Sequence, residues 1–207
     1  ERKGDGGISH AGTGRKPRLL MSFIVVYDAC VLYPAPLRDL LLELAISELF
    51  AAKWTDTIHD EWIRNLSKSR PELQEKLKYT RRLMDEAVPD ALVENFESLI
   101  EGLELPDLND RHVLAAAIKC NAQIIVTINL KDFPSNTLDT YGIEAMHPDE
   151  FIEHQFGLSP GEVIAAAKRI RRRLKNPERS SEEYLETLAS HGLPVTAGLL
   201  KGFVELI

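Results

Sequence analysis

Phe23-Ile24-Val25-Val26-Tyr27-Asp28 is the stretch that decides the fold. Five β-branched or aromatic residues in succession predict a strand covered on both faces, since a strand with one wet face would alternate apolar with polar residues. An acid stands immediately past its end. Ile124-Ile125-Val126-Thr127 repeats the arrangement, with Asp132 following shortly after. The segments around these runs carry helical spacing. Leu37, Leu40, Leu41, Leu44, Ala45 and Leu49 form an apolar stripe behind Pro34 and Pro36, and a second helix is expected over residues 57–67. Two more are expected within 71–100, interrupted at Pro89, and another from Asn109 through Ile118. A short strand near Ile143–Met146 precedes a helix opened by Pro148. This alternation predicts an α/β fold, a mostly parallel sheet flanked by helices.

In an open sheet of this kind ligands bind in the crevice beyond the carboxyl ends of the strands, which is where Asp28 and Asp132 fall. On the 57–67 helix Ile58, Trp62 and Leu66 make the buried stripe. Glu61 then lies on its flank beside Asn65, while Asp60 points to solvent and pairs with Arg64. With Asn109 as a helix cap, Asp110 shares the core-facing side with Val113, Leu114 and Ala117, and His112 points elsewhere. A capping role for Asp110 competes with a functional one. Asp28, Glu61, Asp110 and Asp132 would repel one another without a cation, and an all-oxygen donor set suits Mg²⁺ or Mn²⁺.

The 207 residues, 44% hydrophobic, suffice for one substantial core. The expected division is a flexible arm over 1–21, which holds five of the twelve glycines and almost no apolar residue before Leu19, a main domain over 22–157, and a helical extension over 158–207. No apolar run reaches bilayer length and the first ten residues lack a signal-peptide core, so a soluble, cytoplasmic protein is expected. Gly12-Thr13-Gly14-Arg15-Lys16 lacks both a preceding strand and the spacing of a phosphate loop. Cys30 and Cys120 have no partners at zinc spacing and read as small buried hydrophobes, and the six histidines are scattered.

The net charge of −7 is unevenly spread. Residues 21–157 carry 12 Lys/Arg against 24 Asp/Glu, a net of −12. Such a body does not attract nucleic acid through bulk electrostatics, but it does attract a basic protein. In the extension the run Lys168 to Lys175 reads as a basic helix face, Ser180 and Glu183 as a capping box, and Gly192-Leu193-Pro194 as a break before a last helix.

Other chemistries fail on residue type. There is no Gly-x-Ser-x-Gly elbow, and Asp28-Ala29-Cys30 lacks the second acid of an Asp-x-Asp phosphotransferase. The ordered set Val26-Tyr-Asp-Ala-Cys-Val-Leu32, His59-Asp-Glu-Trp62, Asp107-Leu-Asn-Asp-Arg-His-Val-Leu-Ala-Ala-Ala117 and Val126-Thr-Ile-Asn-Leu-Lys-Asp-Phe133 resembles the acidic motifs of PIN-domain ribonucleases, most closely the VapC-type toxins of bacterial toxin–antitoxin pairs. The resemblance covers about residues 22–155. It implies a PIN-like fold and a Mg²⁺- or Mn²⁺-dependent endoribonuclease, inhibited by a small basic antitoxin and often a homodimer. Asp28, Glu61, Asp110 and Asp132 take the acidic, metal-holding positions, with Thr127 as a supporting hydroxyl. Where many relatives have a further aspartate this chain has Asn129, and Asp107 is an additional acid close by. The expected substrate is RNA presented as a single strand or loop. Two alternatives remain on the same residues: a non-catalytic PIN-like module binding RNA or protein, and a metal-dependent phosphohydrolase.

Overall fold

A computed structural model describes residues 23–207, so the arm expected over 1–21 and the Gly12–Lys16 stretch lie outside the described residues. The first strand, β1 (Ile24–Tyr27), runs into the one-turn helix α1 (Ala29–Leu32) and then α2 (Ala35–Ile46). β2 (Ala51–Lys53) follows, then α3 (Asp56–Ser69), α4 (Gln74–Ala87), the short α5 (Glu97–Ile100) and α6 (Arg111–Lys119). β3 (Ile124–Val126), a single turn α7 (Ser135–Leu138) and β4 (Glu144–Met146) complete the sheet. Four helices close the chain: α8 (Pro148–Leu158), α9 (Pro160–Arg173), α10 (Ser181–Ser190) and α11 (Pro194–Lys201).

All three strand pairs are parallel, in the order β2-β1-β3-β4. The chain leaves β1 toward one side of the sheet to form β2 and returns on the other side as β3. The order therefore reverses between β1 and β3, the place where open α/β sheets bind ligands beyond the carboxyl ends of their strands. Val25 pairs with Ile124 and Tyr27 with Val126, which brings Asp28 and Thr127, the next residue on each strand, to the same edge.

β2 is the one strand the sequence reading omits. Ala51-Ala-Lys53 has neither β-branched residues nor alternation, and its extended form comes from pairing with β1. The stripe on α2 is buried as expected at Leu37, Leu40, Leu41, Leu44 and Ala45, while Leu49 lies past the helix end and is half-buried. Trp54 and Trp62 are fully buried on either side of His59. Trp62 Nε1 donates to His59 Nδ1 at 3.0 Å, so His59 is neutral and directs its other nitrogen to Asp85 Oδ1 at 3.1 Å, with burial holding its pKa below the usual histidine value.

Three local expectations need correcting. Asp60 pairs with Arg81 of α4 rather than with Arg64, since the packed helix offers one guanidinium to both Asp56 and Asp60 and an isolated pair along a helix gains only ~0.2–0.5 kcal/mol. Asp107, not Asn109, caps the turn before α6: its Oδ1 accepts from the Asn109 N–H at 2.8 Å. The basic run is largely engaged within the protein. Arg169 and Arg173 of α9 both bind Glu43 of α2, Lys168 donates to the Leu206 carbonyl and Arg171 to that of Arg179.

The capping box at Ser180 and Glu183 is present, and Gly192 sits at φ +87°, a conformation that a side chain would strain, where the chain turns into α11. α11 is capped from outside its own segment. The buried Asp149 carboxylate of α8 accepts from the Val195 and Thr196 N–H groups, each at 2.8 Å, and from the Thr196 hydroxyl at 2.7 Å. Val163, Ala166, Ala167 and Ile170 of α9 are buried in one hydrophobic cluster continuous with the residues around the sheet. Among the described residues no helix is long and apolar enough to cross a membrane.

Candidate active site

Asp28 is the residue at which β1 ends and α1 begins: its backbone is extended, and its N–H continues the ladder to the Val126 carbonyl at 3.1 Å. The side chain is almost wholly buried, 3% exposed, so its orientation is fixed from within the fold. Oδ2 accepts the Thr127 hydroxyl at 2.7 Å and the Cys30 thiol at 2.9 Å. Each donor is itself placed. Thr127 Oγ1 accepts from the Asn129 N–H at 3.0 Å, and Cys30 Sγ accepts from the Ile128 N–H at 3.2 Å. Two donors thus hold one carboxylate oxygen, and two backbone N–H groups hold those donors. Burial pushes the Asp28 carboxyl up from its usual range; the Cys30 and Thr127 hydrogen bonds oppose the shift and nearby Glu61 adds to it.

Cys30 is therefore not the inert core filler expected of it. It is half-buried beside Asp28, and burial next to that carboxylate keeps it a thiol, well above the usual cysteine value. An Asp-x-Cys directly after a buried strand is the only sequence signal that could have marked it. Thr127 meets Asp28 across the two strand ends.

The remaining acids arrive on separate elements. Asp110 ends the turn Leu108–Asp110 directly before α6 without its side chain capping that helix, and Asp132 ends the turn Leu130–Asp132 just past β3. Asn129 contributes its backbone here, accepting the Asp132 N–H at 3.0 Å. Glu61 projects from α3 and is half-buried; its Oε2 lies 3.2 Å from His112 Nε2. His112 does not point away from the acids, as helical spacing suggested. Nearly all of α6 is buried, including His112, so its flank as well as its inner face meets protein.

Electrostatics ties the set together. Asp110 is pushed up to about 7, first by burial and then by Asp28, Asp107, Asp132 and Glu61, all raising it. Asp28, Asp107, Asp132 and Glu61 are thus near enough to Asp110 for their charges to act on it. Among the described residues no three His, Cys, Asp or Glu side chains close around a single point as a ready-made cage. A hard divalent ion that keeps several waters and takes one or two carboxylates plus substrate phosphate does not require such a cage. The donor set, all oxygen and mutually repelling, fits such an ion.

The repulsion has a measurable consequence. The folded Asp110 carboxyl holds its proton to about pH 7 against a reference value of 3.8, so between those values the folded state binds the extra proton and stability falls as pH rises. In EDTA, Asp110→Asn is expected to melt a few degrees above wild type at pH 8, where ~1 kcal/mol moves Tm by roughly 2–4 °C in a chain of this size. The gap should shrink as the pH is lowered toward 4. Equal gaps at both ends, measured by calorimetry, would dissociate Asp110 from the acid cluster.

A short parallel sheet with Asp28 at its carboxyl edge defines an α/β domain, and comparison with known families agrees with it. A family model described as "PIN domain" matches residues 24–131, and one described as "VapC50 C-terminal domain" matches 148–202. The chain belongs to the PIN-domain family, and its residues 148–202 are similar to the C-terminal domain of VapC50. It is similar to a Mycobacterium tuberculosis protein named "Putative ribonuclease VapC50", 55% identical over 49 residues. That match covers 24% of this chain and 29% of the relative, so the chain matches less than a third of the relative's length. No solved structure matches the chain.

Proposed function

We propose that this protein is a divalent-cation-dependent endoribonuclease, the toxin of a toxin–antitoxin pair, acting on single-stranded or looped RNA. The observation that carries the reading is the buried Asp28 carboxylate fixed by Thr127 and Cys30 at the switch point of a parallel sheet, with Asp110 raised by burial and by Asp28, Asp107, Asp132 and Glu61. Asp28 and Asp110 would be the principal holders of Mg²⁺ or Mn²⁺, with Glu61 and Asp132 completing the site directly or through water, and Asp107 and Asn129 at its margin. A divalent cation held there would supply positive charge against the developing charge of the phosphodiester and would lower the pKa of a water. The chain's own part is positional. Thr127 and Cys30 fix one oxygen of Asp28, and the turns ending at Asp110 and Asp132 carry two further carboxylates that would complete the site.

The basic partner follows from the net of −12 over the acidic body, and a homodimer is proposed from the family alone. Two unpaired cysteines fit a reducing cytoplasm. A non-catalytic PIN-like module is the second reading, favoured by the lack of a closed three-acid cage among the described residues. One experiment separates the two. With the catalytic reading, millimolar Mn²⁺ raises Tm through preferential binding to the folded state, by ~2.7 kcal/mol of stability at a hundred times Kd. Cleavage of total bacterial RNA then stops in EDTA and returns with Mn²⁺. Superimposable melting curves with and without Mn²⁺, together with no cleavage, would favour the binding module.

A further inference from the structure

We infer that His112 is a positioning residue for this site: it holds Glu61 of α3 against α6, so that the two helices present Glu61 and Asp110 to the crevice in a fixed relation. The inference rests on the ribonuclease reading above and adds to it a residue outside the acidic set.

Glu61 and Asp110 sit on elements far apart in sequence, and nothing in either helix fixes their separation. Among the described residues the His112–Glu61 contact, at 3.2 Å, is the one side-chain hydrogen bond joining α3 to α6. His112 lies two residues past Asp110, in the first turn of α6, so a force on Glu61 is transmitted directly to the turn that carries Asp110. The imidazole is buried and its Nδ1 has no hydrogen-bond partner. A neutral ring with Nε2–H donated to Glu61 leaves a bare lone pair at Nδ1, whereas the other tautomer would bury an unpaired N–H and set two acceptors against each other. The contact is therefore a directed one, Nε2–H to Oε2. It occupies one carboxylate oxygen of Glu61, as Thr127 and Cys30 occupy one of Asp28. The opposite side of α3 is held by Trp62, by His59 on Asp85 and by Arg81 on Asp56 and Asp60, so the helix is rigid and His112 sets the direction of its acid.

The test uses the full chain with Mn²⁺ as the metal probe, followed by calorimetry, and total bacterial RNA as the cleavage substrate. His112→Leu keeps the volume and removes the donor; it is expected to lose about 10–100-fold in Mn²⁺ affinity or cleavage rate, the usual cost of removing a partner that orients a metal-holding group. His112→Gln, whose amide donates from a similar reach, should recover most of the loss. In a Glu61→Ala background His112→Leu should add nothing further, which a merely structural role would not produce. Wild-type affinity and rate in His112→Leu, or the same loss in both backgrounds, overturns the role while leaving the nuclease intact. Should the leucine variant fail to fold, His112→Gln decides: near wild type supports the role, and loss equal to that of Glu61→Ala overturns it. A wild-type protein that neither binds Mn²⁺ nor cleaves RNA removes the ribonuclease reading, and this role with it.

Discussion

Asp28→Asn is expected to cut RNA cleavage by at least about 10³-fold, equivalent to ~4 kcal/mol of lost transition-state stabilisation, with Mn²⁺ present in excess. The amide keeps the size of the side chain, and its carbonyl can accept the Thr127 hydroxyl and Cys30 thiol that now meet Oδ2. What it removes is the charge. Because that charge is buried and is opposed by Glu61 nearby, the variant should melt at or above the wild-type temperature in EDTA. Activity and stability thus move in opposite directions, the signature of a residue kept for chemistry at the expense of the fold. Wild-type rates in the Asp28→Asn variant would exclude Asp28 from the reaction, and melting well below wild type would recast it as a structural acid.

Deleting residues 158–207 is the second large effect. α9 packs along α2, and α11 docks on α8 through the Asp149 cap. Glu43, a buried carboxylate on α2, has Arg169 and Arg173 of α9 as its ion-pair partners. The extension's Val163, Ile170, Tyr184, Leu188, Leu193 and Leu200 lie in the same buried cluster as the residues around the sheet. Uncovering large apolar side chains costs about 1.5–3 kcal/mol each, and a whole domain is stable by only about 5–15 kcal/mol. The truncated chain is therefore expected to lose its cooperative thermal transition or to melt at least about 10 °C lower, at roughly 2–4 °C per kcal/mol. Melting within a few degrees of the full chain would show instead that the division at residue 157 separates two independent units.

The order of strands and helices was readable because a buried strand and an amphipathic helix leave different periods in sequence. Val25, Val26, Ile125 and Val126 are fully buried, as uninterrupted apolar runs require, and α2 hides the stripe expected of it. The sequence reading singled out Asp28, Glu61, Asp110 and Asp132 as candidates, since acids at strand ends and at the edges of apolar stripes stand out against their neighbours. β2 escaped it because Ala51-Ala-Lys53 has no strand character apart from its pairing with β1. Cys30 and His112 escaped it for a related reason. A thiol followed by apolar residues, or a histidine within an alanine-rich helix, has the same local pattern whether it faces an acid or a methyl group. Partner choice also lay beyond reach: Asp60 had Arg64 one turn away and took Arg81 from α4, and the arginines of α9 took Glu43 on α2. Sequence periodicity determined which residues are buried and in what order the elements come, because both depend on neighbours within a turn or a strand. Which polar atom meets which across elements was decided only by the tertiary structure, because those distances depend on how whole helices pack.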